Sequence, residues 1–117
     1  MRNFMKAAPL AAIIIAIAVF TGASRPAAVN VVATTWSFTP STIHLKLNQP
    51  AELSLTSNNA THGLQSDDLG IPLTLITPGK TVTVDVTPHK AGTFTLHCAN
   101  YCGAGHPNMA LTVVVAP

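Results

Sequence analysis

The sequence predicts an all-β domain, a small sandwich or barrel, preceded by an N-terminal apolar segment. Three observations carry this. Beyond residue 24 no stretch repeats its apolar residues with the helical period, short runs rich in β-branched residues recur instead, and Pro, Gly or Asn stands between the runs.

The N-terminal segment comes first. Arg2 and Lys6 precede residues 7–24, which carry no charge, are apolar over 11–20 and end in the small residues Thr21, Gly22 and Ala23. This is the order of regions in a secretory signal peptide. The uncharged stretch also touches the lower length limit for spanning a bilayer, so an uncleaved signal anchor is the other reading. In both cases Arg2 and Lys6 stay on the cytoplasmic side and the rest is delivered across the membrane. The expectation is therefore an exported chain, periplasmic or held at the outer face of the cytoplasmic membrane. Residues 1–24 form the signal or anchor, and 25–117 a single domain. About 90 residues suffice for one small β-core.

Strands are expected at 29–33, 43–47, 51–56, 62–65, 73–76, 81–86, 93–98 and 110–115. Ile43, Leu45 and Leu47 share one face, as do Val82, Val84 and Val86, with Thr81, Thr83 and Asp85 on the other. Turn chemistry separates the runs at Thr39-Pro40-Ser41, Asn48-Gln49-Pro50, Ser57-Asn58-Asn59, Thr77-Pro78-Gly79 and Lys90-Ala91-Gly92.

The formal charge of +2 includes Arg2 and Lys6. Without them, Arg25, Lys46, Lys80 and Lys90 balance Glu52, Asp67, Asp68 and Asp85. A near-neutral domain with no basic stripe and no aromatic ladder gives no footing for phosphate neutralisation or base stacking, so nucleic acid is not an expected partner.

The chemistry concentrates between the last two expected strands, in Cys98-Ala-Asn-Tyr-Cys102-Gly-Ala-Gly-His106-Pro-Asn-Met109. Two cysteines in an exported chain would ordinarily be read as a disulfide. Here an imidazole and a thioether share the same twelve residues. Thiolate, thioether and imidazole together suit copper better than calcium or magnesium, and zinc has no use for the methionine. A mononuclear blue-copper site needs only one Cys, with two His and a weak axial Met. A second Cys is accounted for if two thiolates bridge two metals. Each metal then needs a terminal imidazole, and His62, after the polar turn 57–61, is the candidate for the second. Gly103, Ala104 and Gly105 leave room for the loop to wrap closely.

With those residues in place, the sequence resembles the CuA-binding cupredoxin domain of cytochrome c oxidase subunit II, whose loop has the form Cys-x3-Cys-x3-His-x2-Met. Cys98, Cys102, His106 and Met109 meet that pattern in full. His62-Gly63-Leu64, Asp68-Leu69-Gly70-Ile71, Thr77-Pro78-Gly79-Lys80 and Ala91-Gly92-Thr93-Phe94 follow the family's order, so the likeness runs from about residue 29 to 115. The resemblance implies a cupredoxin-like Greek-key sandwich or barrel and a dinuclear CuA centre of two copper ions. In it Cys98 and Cys102 bridge, His62 and His106 each cap one copper, and Met109 and the main-chain carbonyl of Asn100 are weak ligands. Asn100 stands where many members have Glu, which a backbone ligand tolerates. The family usually carries long membrane helices and a Trp-Tyr-Trp stretch, whereas this chain has its leader and a single Trp36.

His97 adjoins Cys98 and so points to the opposite strand face, which makes it a poor ligand. His44 and His89 read as solvated or packed, Trp36 as packing or an aromatic through which electrons arrive, and Asp67 and Asp68 as solvated. No acid, base and nucleophile are arranged for bond making, so no catalytic site of its own is expected. The expected function is one-electron transfer. A cytochrome c or small cupredoxin would be the donor, and a haem-copper oxidase subunit I the acceptor. The alternative is a periplasmic protein that delivers copper with the same ligands at a more exposed site.

Overall fold

Apolar and polar residues alternate along most of the strands, and that alternation decides which face each strand turns inward. The structure, a computed structural model, describes residues 13–15 and 26–117, so the signal or anchor segment expected at 1–24 lies almost wholly outside the described residues. Among the described residues no helix is long and apolar enough to cross a membrane.

Among the described residues there are nine strands: β1 (Ala27–Thr34), β2 (Ser37–Thr39), β3 (Thr42–Lys46), β4 (Ala51–Ser57), β5 (His62–Ser66), β6 (Ile71–Ile76), β7 (Val82–Val86), β8 (Gly92–His97) and β9 (Ala110–Ala116). One sheet has the order β2-β1-β4-β7, a second β3-β9-β8, and β5 and β6 form a separate hairpin. The pairings β1 with β4 and β3 with β9 are parallel, and each joins strands separated by other strands in sequence, since a parallel pair needs a crossover connection.

The core lies between the sheets. Val31 and Ala33 of β1, Leu53 and Leu55 of β4, and Val84 and Val86 of β7 face Ile43 and Leu45 of β3, Leu96 of β8, and Leu111, Val113 and Val115 of β9. Along β4 the alternation is unbroken, with Ala51, Leu53, Leu55 and Ser57 inward and Glu52, Ser54 and Thr56 outward. A Leu buried to this degree contributes roughly 1.5–3 kcal/mol.

The expected strands all occur, with shifted ends. β6 starts two residues earlier than expected, at Ile71, because Ile71 pairs with Ser66 across a bulge. β8 stops at His97, so Cys98 leaves the sheet and opens the loop. β2 was not expected. Its three residues are too few for a period, and it exists because Thr39, Phe38 and Ser37 pair with Val32, Ala33 and Thr34.

Candidate metal centre

Cys98 directly follows β8, and Met109 directly precedes β9, the strand paired with it. The loop between them is closed at its neck by the Cys98 N–H, which donates to the Met109 carbonyl at 3.0 Å. Inside the loop a short 3-10 turn, His106–Asn108, follows Gly105. Pro107 suits such a first turn, where its missing N–H costs nothing. Turn and neck together aim the His106 and Met109 side chains back toward the two cysteines.

Four contacts tie the donors together. The Cys102 sulfur is 3.5 Å from His106 Nδ1 and 3.7 Å from the Met109 sulfur. The Cys98 sulfur is 3.8 Å from His62 Nδ1, and its S–H donates to the Asn100 carbonyl at 3.1 Å. Donor atoms of His62, Cys98 and Cys102 all lie within 4.8 Å of one another. Both cysteines are free thiols. Separations of this size are what two donors adopt when both bond one first-row ion at about 2.0–2.3 Å. The donor set and its spacing therefore fit a soft first-row metal such as copper.

His62 begins β5 and is fully buried, at 0% exposure. Its Nε2 lies 2.8 Å from the main-chain oxygen of Asn59. A carbonyl can only accept, so Nε2 carries the proton and the Nδ1 lone pair is left facing Cys98. The Asn59 carbonyl is in turn held by the Ser57 hydroxyl, whose single proton is shared between it and the Ala60 carbonyl, each 2.7 Å away. Ala60 sits at φ 56°, in the left-handed region, and these bonds hold it there.

A second clamp joins β5 to the loop. The Ala99 N–H donates to the Gly63 carbonyl at 3.0 Å, and the Asn100 side chain donates to the Thr61 carbonyl at 3.0 Å. Gly63 is needed for this approach, since a Cβ there would come within 3.1 Å of the Asn100 nitrogen and 3.2 Å of the Ala99 carbonyl carbon.

Cys98 and Met109 are buried, while Cys102 and His106 are only partly covered. Cys98 is 4% exposed and Met109 0%. Burial pushes the Cys102 thiol up to about 11, helped by the Cys98 sulfur beside it, which hydrogen-bonds the thiol and repels a second thiolate.

All six residues singled out from the sequence, His62, Cys98, Asn100, Cys102, His106 and Met109, thus meet at one end of the sandwich. His44, His89 and His97 stay exposed and away from it. Asp68 pairs with Lys90 at 3.5 Å on the surface. Two contributions were not legible in the sequence. The Asn59 carbonyl gives no signal, since every residue has one. Trp36 was visible as an aromatic, but its indole N–H donating to the Cys102 carbonyl at 3.0 Å was not.

Comparison with known proteins agrees with the fold. Residues 7–114 match the cupredoxin-like domain family. Cytochrome c oxidase subunit 2 of Thermus thermophilus is 31% identical over 87 residues, which is 74% of this chain and 64% of that protein. The chain therefore spans less than two thirds of that relative's length. Among solved structures, the periplasmic domain of subunit II of cytochrome oxidase from Bradyrhizobium japonicum superposes with TM-score 0.70 at 15% identity, covering 77% of this chain and 83% of that one. Auracyanin A, a blue copper protein from Chloroflexus aurantiacus, superposes with TM-score 0.60 at 15% identity, covering 79% and 100% respectively. At those identities the superpositions establish the fold. On sequence and fold together, the chain belongs to the cupredoxin-like domain family and is similar within it to subunit 2 of cytochrome c oxidase.

Proposed function

We propose that this domain carries single electrons on a dinuclear copper centre of the CuA type. Cys98 and Cys102 would hold both ions, His62 and His106 would each hold one, and Met109 and the Asn100 carbonyl would be weak ligands. The observation that carries this reading is the symmetry of the donors: one imidazole nitrogen faces each sulfur, His62 toward Cys98 and His106 toward Cys102, at 3.8 and 3.5 Å. A mononuclear blue-copper centre, built from one Cys, two His and an axial Met, would leave one of the two sulfurs without a role.

A copper pair bound there supplies one-electron chemistry at low reorganisation cost, because the change of charge is shared over two ions. The chain's own residues supply the rest. The Asn59 carbonyl fixes the His62 tautomer, the neck between Cys98 and Met109 fixes the loop, and burial keeps water from the Cys98 and Met109 sulfurs. Burial also argues against bond-making chemistry by the neighbouring Cys98 and His62, since a nucleophile must be reachable by its substrate.

The reading extends to a setting outside the cytoplasmic membrane, with a cytochrome c or small copper protein as donor and a haem-copper oxidase subunit I as acceptor. The likeness to the T. thermophilus subunit supports that setting. Copper delivery is the less favoured reading, because His62 at 0%, Cys98 at 4% and Met109 at 0% exposure are out of reach of an exchange partner, which could approach only through the partly exposed Cys102 and His106.

Loading the reduced chain with copper and recording its paramagnetic resonance tests the proposal. Two coppers per chain, with hyperfine coupling shared between both nuclei, is the expected result; one ion at saturation overturns it.

A further inference from the structure

We propose that Trp36 is a positioning residue for the ligand loop, its ring acting as a plate and its N–H as a latch that hold Cys102 and His106 in place. The effect on copper rests on the dinuclear reading above, while the effect on the loop does not.

Trp36 stands between β1 and β2, 66 positions before Cys102, and its indole N–H donates to the Cys102 main-chain carbonyl at 3.0 Å. That carbonyl belongs to a residue whose own sulfur is a donor. The contact therefore acts on the metal site directly, at the point where the loop turns from Cys102 toward His106.

The glycines of the loop show how close the ring lies. Gly105 has φ −85° and ψ 1°, a conformation any residue adopts, so its backbone does not require glycine. The requirement comes from the indole, because a Cβ at Gly105 would collide with Cγ, Cδ2 and Cε3 of Trp36. A Cβ at Gly103 would stand 3.1 Å from Nε1 and 3.4 Å from Cζ2. The loop thus lies flat on the ring through two residues that have no side chain.

The plate is anchored from behind. The Thr35 N–H and hydroxyl both donate to the Asn59 side-chain oxygen, at 2.8 and 3.0 Å. The Asn59 main-chain oxygen accepts the His62 N–H at 2.8 Å. One turn, Thr35–Trp36, therefore sets the position of His62 through Asn59 and that of Cys102 and His106 through the indole. Ordinary core packing does not explain the residue. Trp36 is 44% exposed and lies outside the buried cluster.

The test uses the full chain with Trp36→Phe, Trp36→Ala, Gly105→Ala and the Trp36→Ala/Gly105→Ala pair. Trp36→Phe keeps a ring and removes the N–H. In the reduced, copper-free chain, amide hydrogen exchange over residues 102–108 should rise roughly three- to tenfold in Trp36→Phe, the weight of one net hydrogen bond, with the amides of β4 and β9 unchanged. Gly105→Ala should loosen the same residues, and should add nothing once Trp36 is Ala, because the clash has gone. Wild-type exchange in Trp36→Phe, or an equal effect of Gly105→Ala in both backgrounds, overturns the plate and latch.

With copper, Trp36→Phe should keep the wild-type stoichiometry, lose metal to a chelator faster by a similar factor, and shift its reduction potential. A purely structural residue would lower the melting temperature without moving the potential. Faster exchange with unchanged copper loss and potential overturns the claim that Trp36 positions the ligands. If wild-type protein takes up a single copper, the dinuclear reading fails while the exchange comparison still decides the plate and latch.

Discussion

The Cys98 sulfur lies 3.8 Å from Nδ1 of His62, a residue 36 positions earlier, and both are shut away from solvent. Nothing local makes that contact. It follows from the hydrogen bond between Ala99 and Gly63, which lays the start of the 98–109 loop along β5. On the other side Cys102 meets His106 within the loop itself.

These two sulfurs divide the work equally in the proposed centre, so Cys98→Ser and Cys102→Ser should each abolish the shared two-copper resonance signal. A hydroxyl is too hard a donor to take over a thiolate bridge to copper. The measurement is copper stoichiometry with paramagnetic resonance. Either variant retaining a signal spread over two coppers refutes the bridge.

Met109 is fully buried with its sulfur 3.7 Å from Cys102, so its removal must separate packing from ligation. Leu nearly conserves the volume, and Met109→Leu should cost less than about 1.5 kcal/mol of stability. Both coppers should stay bound while the reduction potential moves, as loss of a weak axial donor requires. Complete loss of copper would contradict the weak role.

Gly63→Ala tests the clamp between β5 and the loop. The new methyl would press on the Asn100 nitrogen at 3.1 Å and the Ala99 carbonyl carbon at 3.2 Å, so the loop must yield by a few tenths of an ångström. The expected cost is about 1–3 kcal/mol in unfolding free energy, with the Asn100 carbonyl drawn away from Cys98. A denaturant melt checks the first, and the spectrum of the copper-loaded variant the second. An unchanged melt and spectrum would mean that the approach is slack.

The strands were legible because alternation is periodic: Ile43 and Leu45, or Val84 and Val86, declare their inward face without reference to anything distant. β2 was not, since Ser37–Thr39 becomes a strand only by pairing with β1. Five side chains with metal-binding chemistry, His62, Cys98, Cys102, His106 and Met109, stand out by type, Asn100 was named only through the family pattern, and all six lie together. The supports did not stand out. The Asn59 carbonyl has no residue-type signature, and the Trp36 ring meets Gly105 only because the fold brings the turn after β1 over the loop.

The Cys102 thiol gives the last prediction its sign. Burial, with Cys98 beside it, raises its titration to about 11, so near neutral pH the copper-free protein holds a proton that metal must displace. Apparent copper affinity should therefore rise with pH, by roughly tenfold per unit for this proton alone, up to the thiol's own titration. Stability of the copper-free fold runs the opposite way. An unfolded thiol ionises near about 8.5, so the folded state keeps its advantage below that and loses it as pH rises toward about 11. Chelator competition and denaturant melts over the same pH range check both slopes. In Cys102→Ser the contribution of this proton to each should disappear, and an undiminished slope would mean that another group holds the displaced proton.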